Sequence, residues 1–203
     1  MMRFWILLAL GLFVLSCQQE EKMQPLPYLG QHEIDGQDTL YHTIPDFAFI
    51  DQDSNRVSNA TFEGKAYLAD FFFISCPTIC PKVKKQMLRI FDQYKGNDEL
   101  MLLSHTIDPK RDTLGRLKSY AQNLGVDNGQ WRFVTGEQDE IYAIADDYMS
   151  IAKEDPNAPG GFDHSGWVLL IDKSGHIRSF ADGTDPEKVD RLLKDIEWLL
   201  ANE

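Results

Sequence analysis

Basic residues are in short supply: 20 lysines and arginines stand against 32 aspartates and glutamates, a formal net charge of −12. A nucleic-acid partner needs clustered cations to displace condensed counterions, so that class of partner is excluded on charge. Cysteine is also sparse, with three in 203 residues, and no disulfide framework can hold this fold together. The core must therefore be apolar, and 43% hydrophobic with 11% aromatic residues is enough to build one. Internal repeats and low-complexity tracts are missing. The length suits one domain of ordinary size with a tail.

A long membrane-spanning run is missing too. The apolar stretch 4–16 falls short of the roughly 20 residues that a transmembrane helix needs. It follows a short positive start at Arg3 and stops at Cys17, so residues 1–16 read as a secretory signal peptide. The run Val14-Leu15-Ser16-Cys17 resembles a bacterial lipobox, in which the cysteine is lipidated and becomes the new N-terminus. The alternative is an uncleaved anchor with Cys17 a passive apolar residue. Both readings place the domain outside the cytoplasm, on a membrane of a bacterial cell envelope. Residues 17–44 are polar and carry Pro25, Pro27 and Gly30; they read as a tether with room for one loosely attached strand. Residues 45–203 form the domain.

Within the domain the pattern alternates. A hairpin is predicted around the turn residues 51–55, and a strand buried on both faces over 66–74. Helical spacing of Val83, Met87, Ile90 and Phe91 predicts a helix to about residue 94, and 100–107 reads as the next buried strand. Residues 113–124 read as a helix stopped by Gly125, and 131–134 as a short strand. Thr135 with Gln138 has the form of a capping box for a helix to 149. A second hairpin is expected over 167–180, and Asp185-Pro186 opens a final amphipathic helix. Strand and helix in alternation, closed by an antiparallel hairpin and a helix, indicate an α/β sandwich.

With Cys17 assigned to the lipid, Cys76 and Cys80 remain as a pair. A loop this small adds little stability when closed, so chemistry explains the pair better than stapling. Both stand at the start of a helix, and positions four apart share one face with Cβ atoms roughly 6 Å apart. Given helical geometry at both, the sulfurs can close on one ion or on each other. A helix N-terminus also favours thiolates, and Pro81 is harmless in a first turn. The pair on a turn from a buried strand into a helix indicates the thioredoxin-like version of the sandwich, a central mixed sheet with helices on both faces. His164 follows a loop rich in proline and glycine; it is either a third ligand or a loop histidine bonded to a carboxylate such as Asp163. His105 reads as a satisfied core or edge histidine, Met87 as core, and His32, His42 and His176 as surface residues.

The stretch Asp70-Phe71-Phe72-Phe73-Ile74-Ser75-Cys76-Pro77-Thr78-Ile79-Cys80-Pro81 resembles the signature of the Sco/SenC family of copper-binding proteins. Three further pieces follow in the family's order: Thr106-Ile107-Asp108-Pro109-Lys110-Arg111-Asp112-Thr113, then Asp163-His164-Ser165, then Leu170-Ile171-Asp172-Lys173-Ser174-Gly175. The resemblance covers about residues 45–200. It implies copper, as Cu(I) or Cu(II), held by Cys76, Cys80 and His164, and service in assembling the dinuclear copper centre of cytochrome c oxidase. The implied partner is the copper-bearing oxidase subunit or another copper protein. Two thiolates and one imidazole suit copper or zinc, and three ligands leave a position open for transfer. A closed structural zinc site wants a fourth ligand, and the domain has no third cysteine.

Asp70, Asp108 and Asp163 are expected around those ligands. Asp70 either tunes the cysteines from beneath or pairs with a cation or backbone amides; Asp108, Arg111 and Asp112 are expected to brace the neighbouring loop. The competing function is a thiol–disulfide oxidoreductase acting on partner cysteines outside the cytoplasm, since exchange needs an exposed thiolate and a resolving cysteine. Against it, three residues separate these cysteines where the thioredoxin motif has two. A peroxiredoxin-like peroxidase lacks its proline and threonine, because Phe73 and Ala69 stand at those spacings. The chain is expected to be monomeric.

Overall fold

A computed structural model describes residues 25–126 and 129–203. The signal stretch and Cys17 lie outside the described residues. Seven strands form one mixed sheet: β3 (Ala48–Asp51), β4 (Arg56–Ser58), β5 (Ala66–Phe72), β6 (Leu100–Thr106), β7 (Trp131–Thr135), β10 (Trp167–Ile171) and β11 (Ile177–Asp182). Two small sheets stand apart, β1 (His32–Asp35) with β2 (Asp38–Tyr41), and β8 (Ala152–Glu154) with β9 (Phe162–His164). The main sheet runs in the order β11-β10-β5-β6-β7-β3-β4. Its centre, β5-β6-β7, is parallel, and both flanks are antiparallel.

The helices are α1 (Cys80–Gln93), α2 (Leu114–Asn123), α3 (Gln138–Asp147) and α4 (Pro186–Asn202). All seven residues of β5 and all seven of β6 are buried, as parallel strands covered on both faces must be. On one face Phe72 carries the ring of Tyr120 from α2 and the ammonium of Lys84 from α1. On the other, Tyr148, which ends α3, packs on Phe71 and shares a 2.8 Å hydroxyl contact with Tyr67. Helices therefore cover both faces, and the expected thioredoxin-like arrangement is present. Asp185 caps α4 by accepting from the amides of Glu187 and Lys188, with Pro186 behind it.

Three local expectations are corrected. Thr135 is drawn into β7, where it pairs with Ile50; α3 is capped instead at Glu137, with no side-chain cap bond. Part of the segment read as tether lies on the domain: Arg178 is buried, donates to the Leu26 and Pro27 carbonyls and lies 4.2 Å from the Tyr28 ring centroid. His42 and His176 are half-buried, and an imidazole nitrogen of His176 lies 2.8 Å from the His42 carbonyl.

His105 is core, but not satisfied. It is fully buried between Phe71, stacked at 4.8 Å, and Phe49, edge-on at 5.4 Å, and neither ring nitrogen has a partner among the described residues. Burial pushes its pKa from the ordinary 6.5 down to about 3. The unfolded chain thus takes up a proton near 6.5 that the folded chain refuses until about 3. Stability is whole above the first value and lost between the two, at about 1.4 kcal/mol per pH unit for one group. Urea unfolding at pH 7.5, 5.5 and 4.5 should show this slope in the wild type and a shallower one in His105→Leu. Equal slopes would remove the histidine as its source.

Candidate metal centre

The site stands where β5 ends. The chain leaves the sheet at Phe73, turns so that the Cys76 amide donates to the Phe73 carbonyl at 3.2 Å, and enters α1 at Cys80. Only Cys80 is helical. Cys76 lies in the preceding turn, so the pair is brought together by the turn and not by one helical face. Both thiols are free and buried. His164 ends β9, the second strand of the small hairpin that the proline- and glycine-rich loop forms.

The His164 Nε2 atom lies 3.6 Å from the Cys76 sulfur and 3.6 Å from the Cys80 sulfur. Among the described residues this is the one His/Cys/Asp/Glu group compact enough to hold a metal ion, its ligand atoms all within 4.8 Å of one another. Two ligands roughly 2.0–2.3 Å from one ion subtend about 3.5–4.0 Å between them at trigonal or tetrahedral angles. The separations of the imidazole nitrogen from both sulfurs therefore match those between the ligands of one metal ion. The other imidazole nitrogen, Nδ1, faces the Ser165 carbonyl at 3.3 Å. A proton on Nδ1 donated there leaves the Nε2 lone pair aimed at the sulfurs, the tautomer a ligand needs.

The two thiols are not equivalent. Burial pushes the Cys76 thiol up, but the amides of Cys80 and Thr78 and the side chains of both outweigh it and leave the pKa below the ordinary value. For Cys80 burial dominates, joined by the nearby Cys76, and the pKa is raised far above the ordinary value despite the Phe73 backbone and the Lys84 charge. Burial also lowers His164, against a raising contribution from the Ser165 carbonyl.

The surrounding carboxylates divide by task. Asp70 is buried beneath the site on β5 and pairs with the equally buried Lys84 at 2.7 Å, while accepting from the Ser104 hydroxyl. Asp108 is buried and bound to Arg111. Asp112 accepts from the Ile74 amide at 2.9 Å and the Thr106 hydroxyl at 2.7 Å, which ties the loop after β6 to the cysteine turn. Asp163 faces Lys153 at 3.4 Å. Lys84 escaped the sequence reading, although a signal was there: it interrupts the apolar stripe of α1 between Val83 and Met87 and has a buried aspartate to answer it. The small hairpin of β8 and β9 escaped it too, each strand being three residues long.

Residues 35–201 match the sequence profile of the SCO1/SenC family. The chain belongs to the SCO1/SenC family. Among curated relatives, the SCO1 protein homolog of Bacillus subtilis is 29% identical over 163 residues, covering 79% of this chain and 84% of that one. A SCO1/SenC family lipoprotein from Bacillus anthracis superposes with a TM-score of 0.71 at 25% identity, over 78% of this chain and 95% of the other. Bradyrhizobium japonicum ScoI with copper bound gives a TM-score of 0.59 at 25% identity, over 75% and 98%. The Cys-Cys-His cluster is thus set in a Sco fold, in a family that includes copper-binding members.

Proposed function

We propose that this Sco protein binds one copper ion through Cys76, Cys80 and His164, and either delivers it to the copper centre of cytochrome c oxidase or prepares that centre's thiols. The observation that carries the reading is the cluster of two sulfurs and one imidazole nitrogen, the nitrogen 3.6 Å from each sulfur and all three within 4.8 Å of one another. Soft thiolates favour copper over harder ions. A three-donor site has room for a ligand from the recipient, which a closed four-ligand cage lacks. In this reading Cys17 carries the lipid, the domain works as a monomer in the cell envelope, and the recipient is the copper-bearing oxidase subunit or another copper protein. The lipoprotein from Bacillus anthracis supports the anchor by analogy.

Mixing the copper-loaded protein with the metal-free copper domain of the oxidase tests delivery. Appearance of that domain's copper absorption, with loss of copper from the donor, is the expected result; copper that stays with the donor overturns delivery. Cys17→Ser should move the full chain from the membrane to the soluble fraction, and retention on the membrane would remove the lipid anchor.

The inequality of the thiols favours one second reading, thiol–disulfide exchange. Cys76, the thiol of lowered pKa, has the acidity of an attacking group, although its burial requires the partner to reach into the site, and Cys80 four residues on suits the resolving role. Reduction of an oxidised copper domain by the metal-free protein, abolished in Cys76→Ser, would establish it.

A further inference from the structure

His164 stands on a hairpin with no strand pairing to the main sheet, so something else must hold it over the cysteines. Gln138 and Lys110 hold the β8 side through Glu154, and on the β9 side, which carries His164, three contacts come from Arg111. From the loop after β6, its guanidinium is ion-paired with buried Asp108, and its Nη2 donates to the Gly160 carbonyl at 3.3 Å. Its charge also lies 5.4 Å from the Phe162 ring centroid, within cation–π range. Gly160 lies at the end of the loop that joins β8 to β9, and Phe162 opens β9. Phe162 packs on Phe73 at 5.0 Å, and Phe73 in turn meets the His164 ring edge-on at 5.4 Å.

The fit at Gly160 is close. At φ +79° it takes a backbone conformation that favours glycine, and a Cβ there would stand 2.7 Å from the Phe73 ring and 3.2 Å from Pro77. The hairpin turn is thus pressed onto the cysteine turn, and Arg111 closes it from the outer side.

We infer that Arg111 is the positioning residue for the third ligand: by latching the Gly160–Phe162 turn to Asp108, it keeps His164 at coordinating distance from Cys76 and Cys80. Arg111 touches none of the donor atoms and acts only through the hairpin. The inference rests on the ligand set proposed above. Removing a side chain that orients a metal ligand typically costs about 10–100-fold in affinity. In Arg111→Met, Cu(I) affinity should fall within that range, and Arg111→Lys should recover little, because an ammonium lacks the planar fork that meets the Asp108 carboxylate, the Gly160 carbonyl and the Phe162 ring together.

The deciding test places the same substitution in two backgrounds. Cu(I) affinity is measured by chelator competition for wild type, Arg111→Met, His164→Ala and the double variant. Hydrogen exchange of the amides of residues 160–164 is followed in the metal-free wild type and Arg111→Met. The expected result is a loss from Arg111→Met with His164 present, none with His164 already gone, and faster exchange confined to the hairpin. Equal losses in both backgrounds would make Arg111 a general support of the fold and overturn the inference, as would unchanged hairpin exchange. A wild-type affinity untouched by His164→Ala would instead overturn the ligand set, leaving the exchange result to decide whether the latch exists.

Discussion

Replacing either cysteine by serine is expected to abolish tight Cu(I) binding, with a loss well beyond the about 10–100-fold that an orienting residue costs. Serine is a hard, neutral oxygen ligand at ordinary pH, so each substitution removes a soft anion and its share of the charge balance. His164→Ala should cost less than either, because two thiolates still suffice to hold Cu(I) in a lower coordination. The order Cys76 ≈ Cys80 > His164 is thus a stronger claim than loss alone. Anaerobic competition against a Cu(I) chelator measures it, with urea unfolding of the metal-free variants as the control for the fold. Three variants that keep wild-type affinity would sink the site.

The same site fixes the sign of the pH dependence. Thiolates and a neutral imidazole are the forms that bind, so binding expels protons and affinity rises with pH. Cys80 contributes most, since burial holds its thiol protonated far above the ordinary range until the metal displaces the proton. Burial has already lowered His164, so its ring offers less competition from protons. An affinity flat between pH 6 and 8 would mean that the thiols are not the donors.

How much of this was legible from the chain depends on the range of the interaction. The buried strands at 66–72 and 100–106 announced themselves, because a parallel strand covered on both faces has no polar alternation to hide behind. The helix stripes and the Asp185-Pro186 start were equally local. The capping box at Thr135 failed because sheet pairing with Ile50 claimed that residue first. Cys76 was placed on the helix by spacing, whereas Pro77 and Thr78 belong to a turn and the helix begins only at Cys80. The three candidate donors, Cys76, Cys80 and His164, were named through family motifs that stand far apart in sequence, and the fold brings them together. The Arg111–Gly160 contact, between residues 49 apart, was legible at one end alone: Arg111 was expected to brace a loop, but nothing in its segment names Gly160 as the partner. His105 shows the same limit, since an apolar strand cannot reveal whether its one imidazole finds a partner.

Lys84→Met is expected to destabilise the fold by about 3–5 kcal/mol, the usual consequence of removing one partner from a buried ion pair. Lys84 and Asp70 have side chains 4% and 1% exposed, so the carboxylate left behind has neither solvent nor counterion. The lysine also lies 4.2 Å from the Phe72 ring centroid, and Ser104 bridges Asp70 to the Trp131 indole, which donates at 2.9 Å. One substitution therefore unsettles a network joining α1, β5, β6 and β7. The double variant Lys84→Met/Asp70→Asn removes the stranded charge and keeps an acceptor for Ser104, so it should recover most of the loss. Urea unfolding of the wild type, the two single variants and the double variant yields the coupling directly. A single variant within 1 kcal/mol of wild type (a small fraction of the about 5–15 kcal/mol that holds a domain folded) would show that water reaches Asp70. With recovery in the double variant, the pair's role becomes one of register: Lys84, one turn beyond Cys80 on the inner face of α1, lets the helix settle only where its ammonium meets Asp70. Cys80 shares that register, standing four residues before Lys84 on the same helix.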